Sequence, residues 1–311
     1  MSDNPQLDPD MYTSVDALQR LQFAAKGFAF NSLQPINSIL AGKNISKLRG
    51  RGLNFEEMRQ YQRGDDIRTM DWKVTMRTGK PHVKVYTEEK ERSVFLLVDQ
   101  RQSMFFGSKK KMKSVIAAEV ATLIAWQVID STDRVGAIVF NDTDAVTLMP
   151  QRSQLQVIKI IGEITKQNQA LKTGVTSADH QVSLEYMFTQ ALRIAGHDAL
   201  VILIGDGYGW NDRCGEYVKK LSQHNDFIMC HVTDPLEHKL AELPQMVVSD
   251  GNVQVEVSPQ EKKLQQEFSD NVKTSIGSFT ELANQYRIPL LPFNTVEDAD
   301  KQLCRALGVD I

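Results

Sequence analysis

Three short runs constrain this chain more than anything else in it: SVFLLVD (93–99), ALVILIGD (199–206) and DFIMCHVTD (226–234). Each is strand-length and almost continuously apolar, the pattern of a strand covered on both faces. Parallel sheets flanked by helices need such strands. The intervening stretches have helical length and spacing: KMKSVIAAEVATLIAWQVID (111–130), and segments near 153–167, 183–195 and 212–223. Strand alternating with helix predicts an α/β fold, a doubly wound and mostly parallel sheet with helices on both faces.

The remaining pieces extend this frame. DRVGAIVFND and AVTLMP read as two strands joined by a short polar turn. MVVSDGNVQVEV (246–257) places Asp250-Gly251 between alternating apolar residues, a strong hairpin signal. A long helix near 260–286, a short strand at IPLLPF and a last helix near 296–307 follow. Before the sheet, Leu18, Leu21, Ala25 and Phe28 recur at helical spacing behind Thr13 or Ser14 as N-cap. Residues 1–10 are polar and proline-containing, and are expected to fray. Segment 43–92 differs in texture, with 13 Lys and Arg against 8 Asp and Glu, and alternating pieces such as HVKVYTEE. Three regions are therefore expected: an N-terminal helix and tail (1–42), a basic, partly β segment (43–92), and the α/β domain (93–311).

Totals narrow the function classes. A net charge of −3 argues against wholesale nucleic-acid binding. Three cysteines without a C-x-x-C pair suit a reducing compartment, and no run approaches the roughly 20 apolar residues that span a membrane. The first residues lack the basic and apolar regions of a signal peptide, so a cytoplasmic protein is expected.

The informative chemistry lies where the buried strands end. Asp99 follows FLLV, and Asp206 follows VILIG. Open α/β sheets bind ligands just beyond the carboxyl ends of their strands, where two such acids can converge. The bland alternative is that each caps a helix or a turn. Ser103, four residues after Asp99, favours a shared polar site.

Asp99, Ser103 and Asp206 resemble the metal-ion-dependent adhesion site of von Willebrand factor A domains, which has Asp-x-Ser-x-Ser after the first strand, a middle-loop hydroxyl and an Asp after the fourth strand. The sequence before the sheet is similar to the signature of the domain-of-unknown-function 58 family. Arg59, Tyr61, Gly64, Asp65, Asp66 and Arg68 match its Arg-x-Tyr-x-x-Gly-Asp-Asp-x-Arg, and Asp71-Trp72 its Asp-Trp. The likeness runs over about residues 45–311. It implies a von Willebrand A-like fold and a non-catalytic, bacterial, cytoplasmic adaptor. The implied partner is a MoxR-type AAA+ ATPase, in the assembly or activation of other proteins.

One departure from the pattern matters. The first hydroxyl ligand should stand at position 101, which is Arg101. A guanidinium has no lone pair for Mg²⁺, which wants about six oxygens. At about 4 Å and an effective dielectric near 20, its charge against the ion costs about 8 kcal/mol. The expected site is a degenerate one of Asp99, Ser103, Ser183 (Thr176 as alternate) and Asp206, holding Mg²⁺ weakly or not at all. Arg101 becomes the cation for both carboxylates.

Other readings have less behind them. Asp99, Asp206 and Asp212 could fill places in a Mg²⁺-dependent phosphatase of haloacid-dehalogenase type, but Arg101 stands where the acid/base would be. GDGYG after a strand lacks dinucleotide-loop spacing, and there is no Walker A motif. His82, His180, His197, His224, His231 and His238 are scattered, and Cys230 and His231 fall on opposite faces of a strand, so zinc is not expected. The 43–92 segment could bind nucleic acid or an anionic surface through Lys47, Arg49 and Arg51. Its arginines are instead expected to pair locally, with Arg59, Asp65, Asp66, Arg68 and Asp71 as one ion-pair network and Trp72 as its core anchor.

Overall fold

The computed structural model describes residues 8–26, 53–88, 91–172, 182–239, 246–249, 254–257, 283, 285 and 288–308. The chain divides into two compact units, a small one at 43–91 and a large one made of the rest.

The large unit is built on a six-stranded sheet. Its strands are β3 (Ser93–Asp99), β4 (Arg134–Phe140), β5 (Ala145–Gln151), β6 (Leu200–Gly205), β7 (Asp226–Thr233) and β10 (Leu290–Asn294). The order is β10-β7-β6-β3-β4-β5, parallel except for the antiparallel edge strand β5. This is the doubly wound, mostly parallel sheet that the strand–helix rhythm predicts. The winding reverses between β3 and β6, and ligand crevices open at such switch points.

Strand periodicity fixes which helices cover which face. On one face Val94, Leu96 and Val98 of β3 pack with Val135, Ala137 and Val139 of β4 and Ile202 and Ile204 of β6. Helices α1 (Val15–Lys26), α3 (Lys113–Asp130), α4 (Gln154–Ala170) and α8 (Ala299–Leu307) cover that face. On the other, Phe95, Leu97, Val201 and Leu203 meet α5 (Leu184–Ile194) and α6 (Asp212–Leu221). Helix α3 touches β3, β4, β6 and β7 on one side and α1, α4 and α8 on the others. It is buried nearly all round, which accounts for apolar residues on every side of it. Among the described residues no helix is long and apolar enough to cross a membrane.

The N-terminal segment is tied in by a chain of buried amides. Thr13 N donates to Asn168 Oδ1 (2.8 Å), Asn168 Nδ2 to Gln100 Oε1 (3.0 Å), and Gln100 Nε2 to the Ser114 carbonyl (3.0 Å). Residues 8–14, α4, the end of β3 and the start of α3 are thereby joined.

The small unit pairs β1 (Leu53–Gln60) with β2 (His82–Glu88) in an antiparallel ribbon. Between them lies a short helix, α2 (Trp72–Thr78), which sequence periodicity does not reveal. Asp71 caps it through Lys73 N and Val74 N, and Gly79 ends it in the left-handed conformation (φ 68°). Strands β8 (Met246–Ser249) and β9 (Gln254–Val257) pair as the Asp-Gly signal predicts. Asp250-Gly251, most of the segment 260–286 expected to be helical, His180, Thr176, Lys47, Arg49 and Arg51 lie outside the described residues. Helix α7 (Pro235–Lys239) follows β7.

Candidate functional site: a strand-end cluster with built-in cations

Asp99 ends β3 and Asp206 directly follows β6, which are neighbours at the switch point. A Cβ placed on Gly205 would lie 2.9 Å from Asp99 Cβ and 3.1 Å from its Oδ2. The β6 backbone just before Asp206 therefore touches the Asp99 carboxylate, and glycine is what permits it. The two acids share one polar cluster.

Each acid has its own cation. Asp99 is 0% exposed and Arg101 6%. Arg101 Nε donates to Asp99 Oδ1 (3.0 Å) and Oδ2 (3.2 Å), and Nη2 to Oδ2 (2.6 Å). The Arg101 backbone N–H adds a bond to Oδ1 (3.0 Å). Nη2 also donates to the Tyr208 carbonyl (2.9 Å), which holds the loop after β6. That loop turns through Gly207 and Gly209, both at positive φ (74° and 80°), and leaves Tyr208 62% exposed.

The direct partner of Asp206 is Lys113, not Arg101 as the sequence suggested. Lys113 Nζ, at the first turn of α3, donates to Asp206 Oδ2 (2.9 Å) and Glu237 Oε1 (2.6 Å). Asp206 Oδ1 accepts from Tyr208 N (2.9 Å). Burial works against the charged form of both acids, with different outcomes. It pushes the Asp99 carboxyl above the usual range, against the charge and hydrogen bonds of Arg101. At Asp206 burial is outweighed by the charges of Lys113 and Arg101, which hold its pKa at about 2. Burial would lower both cations, but Asp99 holds Arg101 above its ordinary value, and Asp206 and Glu237 do so for Lys113.

Two further acids belong to the rim. Asp142 Oδ2 accepts from Gln102 N (2.7 Å), and its own carbonyl accepts from Val182 N (3.2 Å), so it links the β3 and α5 loops. Asp234, after β7, accepts from Ser108 N and Leu236 N and from the Thr295 hydroxyl. Three adjacent strands thus end in buried carboxylates. The third, already visible in DFIMCHVTD, could have been found by the same rule.

The expected hydroxyl ligands are otherwise placed. Ser183 is exposed and caps α5 by accepting from Tyr186 N (3.1 Å), so the preference of serine for N-caps explains it. Ser103 lies in the turn after β3, and its Oγ is buried with no hydrogen-bond partner among the described residues. With both Asp99 oxygens on a guanidinium and Asp206 held by an ammonium and an amide, these residues do not fit Mg²⁺. Among the described residues no group of three or more His, Cys, Asp or Glu is arranged to hold a metal ion. Asp212, the third acid of the phosphatase reading, is an exposed first residue of α6. Cys230 packs in the core with its thiol pushed up to about 12 by burial, while His231 Nε2 lies 3.2 Å from the Asp206 carbonyl.

In the small unit the expected single ion-pair network resolves into separate contacts. Arg59 holds Asp65 in a two-pronged pair (2.9 and 2.8 Å). Asp66 accepts from Arg68 N (2.9 Å), and Asp71 pairs with Lys84 (3.0 Å), which lowers the Asp71 carboxyl through that hydrogen bond and the α2 N–H groups. The Arg68 side chain takes no part in an ion pair among the described residues. Trp72 is not a core anchor. It is 59% exposed, because the first residue of a short capped helix points outward here.

Fold and cluster together define an α/β protein with a doubly wound sheet and a strand-end site that carries cations of its own. The chain belongs to the family described as Protein of unknown function DUF58, whose model matches residues 57–276. Uncharacterized proteins of Mycobacterium tuberculosis and Mycobacterium bovis are 26% identical over 241 residues, 75% of this chain and 69% of theirs. Among solved structures, the conserved hypothetical protein BatB from Bacteroides thetaiotaomicron is similar at 15% identity. It covers 70% of this chain and 97% of its own, with a TM-score of 0.44. A von Willebrand factor type A protein from Catenulispora acidiphila (15% identity, 62% of this chain, 44% of its own) has a TM-score of 0.33.

Proposed function

We propose that the protein is a non-catalytic interaction module whose binding rim is formed permanently by internal ion pairs. The observation that carries this reading is the pairing of Asp99 with Arg101 and of Asp206 with Lys113. Two carboxylates at one rim repel, and an adhesion-type site relieves this with a divalent ion that also receives a partner's acid. Here two side chains supply the charge, and one of them fixes the loop that displays Tyr208. The rim is ready for a protein partner without an ion. By the family resemblance that partner is a MoxR-type AAA+ ATPase, with the chain acting in the assembly or activation of other proteins. Both oxygens of Asp99 are engaged, so the group a phosphatase would use as nucleophile is not free.

The test is affinity capture from an extract of the source organism, with ATP and either Mg²⁺ or EDTA. An AAA+ ATPase is expected in the captured fraction. EDTA removes Mg²⁺ from ATP as well, so a non-hydrolysable analogue added with Mg²⁺ separates the ATPase's needs from the rim's. Purified chain should turn over neither aryl phosphates nor ATP. Mg²⁺-dependent turnover abolished by Asp99→Asn would replace this reading with the phosphatase.

A further inference from the structure

The small unit shows a surface that the strand-end cluster does not use. Helix α2 carries Trp72 and Met76 four residues apart, on one side, and Lys73 and Arg77 likewise in the adjacent row. Trp72 is 59% and Met76 84% exposed, and Ile67, in the turn before the helix, is 61% exposed. The opposite side is what anchors the helix. Thr75 Oγ1 accepts from His82 N (3.1 Å), Asp71 N donates to the His82 carbonyl (2.9 Å), and the Asp71 carboxylate pairs with Lys84. The apolar row and the cationic row are thus held outward on a fixed helix.

Charge sharpens this. The acids of the unit's central turn are consumed internally: Asp65 by Arg59 and Gln62 N, Asp66 by Arg68 N, Asp71 by Lys84 and the helix amides. Arg68, Lys73 and Arg77 are exposed and form no ion pair among the described residues. A cationic row with no ion pair among the described residues, beside a tryptophan and a methionine, calls for a partner with the opposite charge and apolar side chains of its own.

We infer that the α2 face of the small unit docks an acidic, amphipathic segment of a partner protein, with Trp72 and Met76 as anchors and Lys73 and Arg77 as the charge contacts. The inference rests on the adaptor reading above and names the chemistry that the partner must carry. Single-stranded nucleic acid is the poorer match, because it needs several stacking rings, and two of the three exposed apolar groups are aliphatic. A membrane surface is also poorer, since a seven-residue helix offers little apolar area to bury.

A phage library of 16-residue peptides is panned on the full-length chain, and the best peptide is measured by fluorescence anisotropy. Enriched peptides should combine Asp or Glu with apolar residues three or four apart. Their binding should weaken at least tenfold in Trp72→Ala/Met76→Ala and in Lys73→Glu/Arg77→Glu, and should weaken with salt. No enrichment, enrichment of basic peptides, or binding unchanged in both variants would overturn the inference. So would tighter binding, through the same residues, of a 20-nucleotide single strand or of phosphatidylserine vesicles. Both variants also go through the extract capture. Persisting partners with no selected peptide leave the adaptor reading standing and this face refuted. Selected peptides with an empty extract capture do the reverse.

Discussion

Arg101→Ser tests the cluster most directly. The substitution removes three side-chain hydrogen bonds to Asp99 and one to the Tyr208 carbonyl. Asp99 keeps only the backbone N–H at position 101, at a site with 0% exposure. Leaving one member of a buried pair unpartnered typically costs about 3–5 kcal/mol. The loss should depend on pH. Without its cation, the folded carboxyl rises further above its unfolded value, and the folded state then binds the extra proton. Stability of the variant is therefore greatest below about pH 4 and falls as pH rises through the raised folded pKa, by up to about 1.4 kcal/mol per unit. Urea denaturation of both proteins at pH 5 and pH 8 reads this directly. The serine also supplies the missing hydroxyl and removes the opposing charge, so Mg²⁺ or Mn²⁺ should bind the variant. At ten times its Kd the ion should return about 1.4 kcal/mol. Lys113 stays on Asp206 and keeps that affinity modest. A loss below about 1 kcal/mol with no pH dependence would refute the buried-pair argument. Tight Mg²⁺ binding by the unmodified chain in calorimetry would refute the replacement of the metal by Arg101.

Other outcomes are expected from the same geometry. Lys113→Met should cost about 3–5 kcal/mol in urea denaturation, because it strands Asp206 and Glu237, and NMR titration should find the Asp206 carboxyl above its present value of about 2. In the unmodified protein the depressed Asp206 pKa contributes about 2 kcal/mol above pH 4, lost as pH falls from 4 towards 2, measurable against Asp206→Asn. Gly205→Ala forces a methyl to within 2.9 Å of Asp99 Cβ and should destabilise by about 1–3 kcal/mol in thermal or urea melts. EDTA and Mg²⁺ should each leave the melting temperature of the unmodified chain unchanged.

Sheet and strand-end acids were legible because both are local in sequence. A continuous apolar run states its own burial, and an acid at its end states its place on the rim. Arg101 was legible for the same reason, two residues from Asp99. Lys113, Asp142 and Glu237 were not, since the topology brings them to the rim from other loops and helix starts. Ser183 misled because the same hydroxyl serves a metal or a helix cap, and the local cap won. Trp72 misled differently. It was expected as the core anchor of an ion-pair network, but it stands directly behind the capping Asp71 and is 59% exposed, and no count of apolar residues reveals that.

The hydrogen bond between Thr13 and Asn168 sets a timetable for synthesis. Its partners are 155 residues apart. At ribosomal speeds of about 5–20 residues per second, the first waits roughly 8–30 seconds for the second. Helix α1 meanwhile has emerged, and the seat for Leu18 and Ala25 on α3 and α4 is incomplete until α4 ends at Ala170. A nascent chain in that interval carries an amphipathic helix whose apolar face has no seat until α4 is made.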